Sequence, residues 1–200
     1  MAPTSKGTIL EDPQEISTGA GSRARITFGD GSQINLGSNN RMDLGSLCRE
    51  SGGSGLSSVY MRINSLLSIL TGRKAVIHME GSNAVTGSRG ELLPAPWVPR
   101  PSIRLASYGR SAVGLPAASF VENELTELTP GVGEIERSAA AFIVEYRGSG
   151  FNVWALKGQL NLKDSNGSST VLQGNLNAGA AQLPTPHHVK AKWITIQVSE

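Results

Sequence analysis

Few residues of this 200-residue sequence stand at spacings that do chemistry. Acyl transfer by a serine nucleophile is commonly built on a Gly-x-Ser-x-Gly elbow, and that spacing does not occur; neither does the Gly-x4-Gly-Lys-Ser/Thr phosphate cradle. The histidines are His78 and the adjacent His187 and His188. Neighbours on a strand point to opposite faces, so the pair cannot readily share one zinc ion, and after Pro184 and Pro186 it reads as a solvated loop pair. Asp164-Ser165-Asn166-Gly167-Ser168 offers alternating oxygens as a calcium loop does. It lacks the distal bidentate glutamate, and a polar hairpin turn with Asn-Gly at positive φ is the favoured reading. Asp30 is expected to hold its own turn by side-chain to backbone hydrogen bonds. Paired-carboxylate hydrolysis needs two acids converging in a cleft. Glu122, Glu124, Glu127, Glu134 and Glu136 instead form a scattered acidic stretch, a solvated loop face or an electrostatic contact surface. Catalytic, cofactor and metal residues are therefore assigned to none, no cofactor is expected, and the chain reads as no enzyme.

Contact chemistry is better represented. Pro94, Pro96, Pro99 and Pro101 force an extended run around Trp97, because proline neither donates to a ladder nor sits inside a helix. A tryptophan there cannot bury itself locally and must dock on the domain or on a partner. These five residues are the candidate partner contact. Trp154 and Trp193 fall in strand patterns and read as core or interface residues, and the lone Cys48 as a small half-buried apolar residue that excludes an internal disulfide.

Charge narrows the partners. Lys and Arg number 18 against 16 Asp and Glu, a net +2, which is no basic field for nucleic acid. Charged residues are 17% of the chain, and 24 of 200 residues are glycine, above the average of about 7%. Many turns and few charged helix faces follow. No window reaches the roughly 18 apolar residues of a spanning helix, and the opening Met-Ala-Pro-Thr-Ser-Lys-Gly has no apolar h-region, so no signal peptide is visible as given.

Period-two alternation dominates the elements that must position these residues. Ala24, Ile26 and Phe28 share a face opposite Arg23, Arg25 and Thr27, and Gly29-Asp30-Gly31 joins them to Gln33-Ile34-Asn35-Leu36, predicting a hairpin with one wet face. Phe142, Val144 and Tyr146 alternate up to a glycine turn, and Phe151, Val153 and Ala155 resume after it. Short strands at Gln159–Leu162, Val171–Leu172 and Asn175–Leu176 follow, punctuated by Gly158, Gly167 and Gly174. Val189 to Val198 alternates with a phase change at Trp193-Ile194, predicting a closing strand, bulged or straight. Val59 to Leu70 fits strands or one helical turn, with strands preferred, and Ala117 to Leu128 fits a short helix. Ser51 to Gly55 has linker composition.

Ile16-Ser17-Thr18-Gly19, Ser22 and Ile26 through Leu36 resemble the opening of FecR-type domains: a threonine-glycine turn, an alternating strand, an Asp-Gly-Ser turn and a second strand. Ala141 to Val144, Val153 to Leu162 and Val171 to Leu176 are similar to that domain's closing half. The resemblance implies an all-β, solenoid- or roll-like domain outside the cytoplasm that works by protein contact. The family's membrane helix and N-terminal regulatory segment have no counterpart here, so transmembrane sigma-factor control is not carried over. The family's central arginine-glycine-threonine is echoed only in part, by Ser88 to Glu91 or Glu136 to Ala139.

The expectation is one all-β domain over 1–200, solenoid, roll or barrel-like: a first half at 16–80, an irregular Pro-rich insertion at 85–135, and a second half with its closing strand at 136–200. The expected function is a non-enzymatic periplasmic or extracellular bacterial binding or scaffolding protein. Its partner is another protein or further copies of itself, with no nucleic acid and no membrane span, though an envelope complex suits it. A repeating subunit of a filament, sheath or envelope complex, and an enzyme with a hidden site, are the alternatives.

Overall fold

The computed structural model describes residues 7, 9, 15–28, 31–43, 58–71, 76–81, 125, 128–175 and 183–199. They are mostly strand, in one sheet curled into a half-barrel, so the chain is all-β. The strands are β1 (Glu15–Ser17), β2 (Ala24–Thr27), β3 (Gln33–Leu36), β4 (Arg41–Asp43), β5 (Ser58–Ile63), β6 (Leu66–Thr71), β7 (Val76–Gly81), β8 (Ala140–Tyr146), β9 (Phe151–Asp164), β10 (Ser169–Asn175), β11 (His187–Val189) and β12 (Trp193–Ser199). A short helix, α1 (Val132–Arg137), precedes β8.

The principal path through the sheet is β1-β4-β5-β7-β12-β9-β8-β6-β3-β2, with β10 and β11 also paired to β9. Strand β9 explains this order. Its first half pairs with β8 and β11, its second half with β10 and β12. It cannot be straight. Val189 lies opposite Phe151 and Ile194 opposite Asp164, yet five residue steps span at most about 18 Å, whereas the thirteen steps from Phe151 to Asp164 would extend about 43 Å. The bend sits where the β8 register slips, Ala141 facing Lys157 and Phe142 facing Ala155, and where Gly158 takes φ +78°. Bulges and positive-φ glycines are how strands turn sheet corners. One limb is then β10, late β9, β12, β7, β5, β4 and β1; the other is β11, early β9, β8, β6, β3 and β2.

The chain crosses between limbs repeatedly, and Asn40 secures those crossings. Its side-chain amide donates to the Leu66 carbonyl (3.1 Å) and accepts from the Asn64 N–H (2.8 Å), while its backbone meets Thr18, whose hydroxyl donates to Gly37 O (2.6 Å). Because β6 belongs to the other limb, β5 and β7 become neighbours and pair parallel.

The core lies between the limbs. From one come Met42, Met61, Met79, Ile77, Ile194, Ile196 and Leu162; from the other Ile34, Leu36, Leu67, Ile69, Phe142, Val144 and Val153. A second cluster covers the outer side of β8, where Leu128 and Ile135 pack on Ala141, Ile143, Trp154 and Leu156, so β8 is buried at every position.

The β2–β3 hairpin forms as expected, Ile26 facing Ile34 and Gly31 at φ +85°, but its outer face is not wholly wet: Asn35 is buried and its Nδ2 donates to Leu128 O at 3.3 Å; Asp30 lies outside the described residues. Val59 to Leu70 forms β5 and β6. Other expectations need correction. Gly158 and Gly174 do not end strands, because β9 and β10 pair straight through them. The phase change at Trp193 is a break between β11 and β12, not a bulge. His187 and His188 lie in β11, not in a loop. Glu134 and Glu136 lie on α1, where Glu134 accepts from the Gly131 N–H at 3.0 Å and pairs with Arg25. Cys48, the linker-like Ser51 to Gly55 and all but Leu125 and Leu128 of the expected helix at 117–128 lie outside the described residues.

Candidate functional site

Pro94, Pro96, Trp97, Pro99 and Pro101 lie outside the described residues. Within them, the feature best suited to contact is the outer edge of β10. That strand pairs only with β9, and no described strand occupies its other edge. Asp164 shapes the hairpin leading into it: its Oδ1 accepts from the N–H groups of Asn166 (2.8 Å) and Ser168 (3.0 Å), and Gly167 takes φ +82°. The carboxylate thus caps a turn, as the hairpin reading of this segment expects.

Two hydrogen bonds fix which β10 groups face outward. Asp164 N–H donates to Ser168 O at 3.1 Å, so residues with even numbers bond across the hairpin. Ser165 N–H donates to Trp193 O at 3.1 Å, giving the same phase from the β12 side. The N–H and C=O groups of Ser169, Val171, Gln173 and Asn175 therefore point to the open edge. Side chains agree: these four are exposed and Thr170, Leu172 and Gly174 half-buried, with Val171 59% exposed and Leu172 packed on the core. From Ser169 to Asn175 there is no charge and no proline. Proteins commonly protect an edge with such residues.

Cross-strand register sets what flanks that edge. Asp43, Tyr60, His78, Thr195, Lys163 and Ser169 form one outward row across β4, β5, β7, β12, β9 and β10. Tyr60 stacks on His78 with centroids 5.3 Å apart and planes 13° from parallel, and His78 meets Trp193 at 5.2 Å. The ring faces are thus largely spent on one another. His78 Nδ1 lies 3.1 Å from Thr195 Oγ1, while Glu80 accepts from the Tyr60 hydroxyl and pairs with Arg62 at 3.5 Å. Burial holds the His78 imidazole below its ordinary range, partly offset by Glu80; burial, then Glu80, pushes the Tyr60 phenol up. This ladder fastens β5, β7 and β12 from the solvent side.

On the other limb, buried Glu145 accepts from Arg147 Nε (2.8 Å) and Asn152 Nδ2 (2.9 Å), and Asn152 Oδ1 lies 2.9 Å from His188 Nδ1. Register places His187 opposite core residue Val153 and His188 opposite Asn152, on opposite faces of β11. Among the described residues, no three His, Cys, Asp or Glu side chains group to hold a metal, and no helix is long and apolar enough to cross a membrane.

Sequence reading named neither β10 as the open edge nor the Glu145 chain. The alternation of Ser169, Val171 and Gln173 without charge was the available signal for the first; Glu145 and Asn152 are seven residues apart and meet across the β8–β9 hairpin, whose register brings in His188 from β11. No protein-family model matches this chain, and a search of curated proteins finds no significant match.

Proposed function

We propose that this chain is a non-enzymatic binding or scaffolding module that acts by protein–protein contact through strand addition at β10, outside the bacterial cytoplasm. The observation that carries the contact reading is the uncharged edge of β10, with the backbone groups of Ser169, Val171 and Gln173 turned outward. An extended partner segment would gain ladder hydrogen bonds there and cover Val171 on one face and Leu172 on the other. The placement outside the cytoplasm is supported by the FecR-like pattern of Ile16 to Leu36 and Ala141 to Leu176.

Val171→Pro tests this reading. The lost N–H points away from β9, so the hairpin keeps its ladder while the edge loses a donor. Tagged wild type and variant, both purified from the native source and matched for thermal unfolding, are compared by quantitative mass spectrometry. Proteins enriched with wild type are expected to fall to background with Val171→Pro, and equal enrichment by both would overturn the reading.

A further inference from the structure

We infer that Asn166-Gly167 is a site of spontaneous covalent modification, at which the Asn166 side chain converts through a cyclic imide to aspartate or isoaspartate, and that the turn built on Asp164 holds the conversion back. This concerns the β9–β10 turn and does not depend on the β10 edge being a contact surface.

The residue pair is set apart by sequence and by exposure. Ring closure needs the backbone nitrogen of the following residue to reach the asparagine Cγ, and a side chain on that residue obstructs the approach. Glycine has none and its backbone turns freely. Asn166 is the one asparagine of the sequence followed by glycine. It is exposed at the tip of the hairpin, as are Gly167 and Ser168, so water and hydroxide reach it.

The reaction balances with water as the co-reactant. Hydroxide takes the Gly167 N–H proton, and the nitrogen attacks Asn166 Cγ. The new N–C bond forms as Cγ–Nδ2 breaks, and Nδ2 leaves as ammonia with a proton from water. A second water then opens the imide at either carbonyl. One product is aspartate; the other is isoaspartate, whose main chain runs through Cβ and Cγ and is longer by an atom. Nothing is oxidised or reduced.

The folded turn opposes the attack. Gly167 N–H donates to Asp164 O at 3.1 Å, with Gly167 at φ +82°. Asn166 is pinned twice, its N–H donating to Asp164 Oδ1 and its Nδ2 to Lys190 O, each at 2.8 Å. Ser165 Oγ accepts from Lys192 N–H at 3.1 Å, so the turn rests on the segment between β11 and β12. Bringing the Gly167 nitrogen onto Cγ swings the Asn166 side chain off Lys190 and rotates the 166–167 peptide out of its bond to Asp164. Conversion therefore proceeds from the open turn, at a rate set by the fraction of chains in which it is open. Isoaspartate cannot rebuild the turn: the longer main chain puts the Gly167 and Ser168 N–H groups out of register with Asp164, and a carboxylate replaces the donor to Lys190 O. The modification thus releases the hairpin tip.

Peptide mapping by mass spectrometry of the purified full chain, kept in warm, mildly alkaline buffer, tests this. In the folded chain, amide-to-acid conversion is expected at Asn166 ahead of every other asparagine, with aspartate and isoaspartate products eluting separately, and conversion is expected to be faster after unfolding in guanidinium. Asp164→Ala removes the acceptor that holds Asn166 and Ser168 and is expected to speed folded-state conversion about fivefold. Should that variant not fold, the comparison of folded and unfolded wild type decides. Converted chain, separated by its added negative charge, is expected to lose amide-exchange protection at Gly167 and Ser168. Another asparagine converting first, equal rates in folded and unfolded wild type, an unchanged rate in folded Asp164→Ala, or unchanged protection in the converted chain overturns the inference.

Discussion

Three glycines of the β9–β10 hairpin separate two costs that are usually entangled. Gly167 takes φ +82° with nothing near its missing Cβ, so Gly167→Ala incurs only left-handed backbone strain, about 1–2 kcal/mol. Gly174 faces Gly158 across the hairpin, and a Cβ there would fall on the backbone nitrogen of Lys157, so Gly174→Ala incurs only overpacking, typically about 1–3 kcal/mol. Gly158 carries both: φ +78° and a Cβ position 2.7 Å from the Ala139 carbonyl oxygen, with Ala140 Cβ at 3.1 Å. Those atoms are backbone or begin β8, which is buried throughout, so they cannot swing aside. Gly158→Ala is expected to cost about 2–5 kcal/mol, the sum of the two contributions. Urea unfolding of the three variants beside wild type measures each loss, with equal slopes required for the comparison. A Gly158→Ala cost no larger than that of Gly167→Ala would mean that β9 does not turn its corner at this residue, and the two-limb description would fail with it.

Further expectations concern the core, a buried hydroxyl and pH. Phe142 is fully buried between the limbs, and Phe142→Ala is expected to destabilise by about 3–5 kcal/mol in the same assay. Ser68 is fully buried and its hydroxyl finds no partner among the described residues, so Ser68→Ala should raise stability by about 1 kcal/mol; a loss of that size would reveal a bond the hydroxyl makes. Because burial holds folded His78 below its ordinary value of 6.5, the unfolded chain takes up its proton first as pH falls. The stability from neutral His78 is thus full above 6.5 and is lost as pH drops through the folded value. His78→Gln should flatten that part of the urea-midpoint profile, and an unchanged slope would remove His78 as its source. Tyr60 and Tyr146 are both held above 10.0, chiefly by burial, so their contribution is full below 10.0 and lost as pH rises through their folded values; phenolate absorbance should titrate later in folded than in unfolded protein.

Local pattern carried the strands and little of their arrangement. Ala24, Ile26 and Phe28 announced the first hairpin because Arg25 and Thr27, on the outer face of β2, are exposed and alternation survives there. In β8, Ala141 and Ile143 are as buried as Phe142 and Val144, since α1 covers the outer side, and two-sided burial blurs a period of two. Gly158 read as a break because glycine is a weak strand former, yet pairing on both edges carries β9 through it. Helix α1, at six residues, is too short for a helical period to declare itself. The open edge was the least legible feature. Whether Ser169–Asn175 is flanked on one side or two depends on β11 and β12 taking the other edge of β9, a fact of sheet order that no window of sequence contains. The proline-tryptophan stretch drew attention by composition, whereas the edge is composed of unremarkable residues.

The measurement that bears most directly on the account is amide hydrogen exchange, residue by residue, along β10 of the intact chain, alone and bound to the proteins it captures. Thr170 and Leu172 donate to β9 and are expected to be protected in both. Ser169, Val171, Gln173 and Asn175 should exchange rapidly in the chain alone and slow markedly when a partner is bound. If those four exchange at one rate in both forms, no strand adds at this edge, and the contact surface of the protein lies elsewhere.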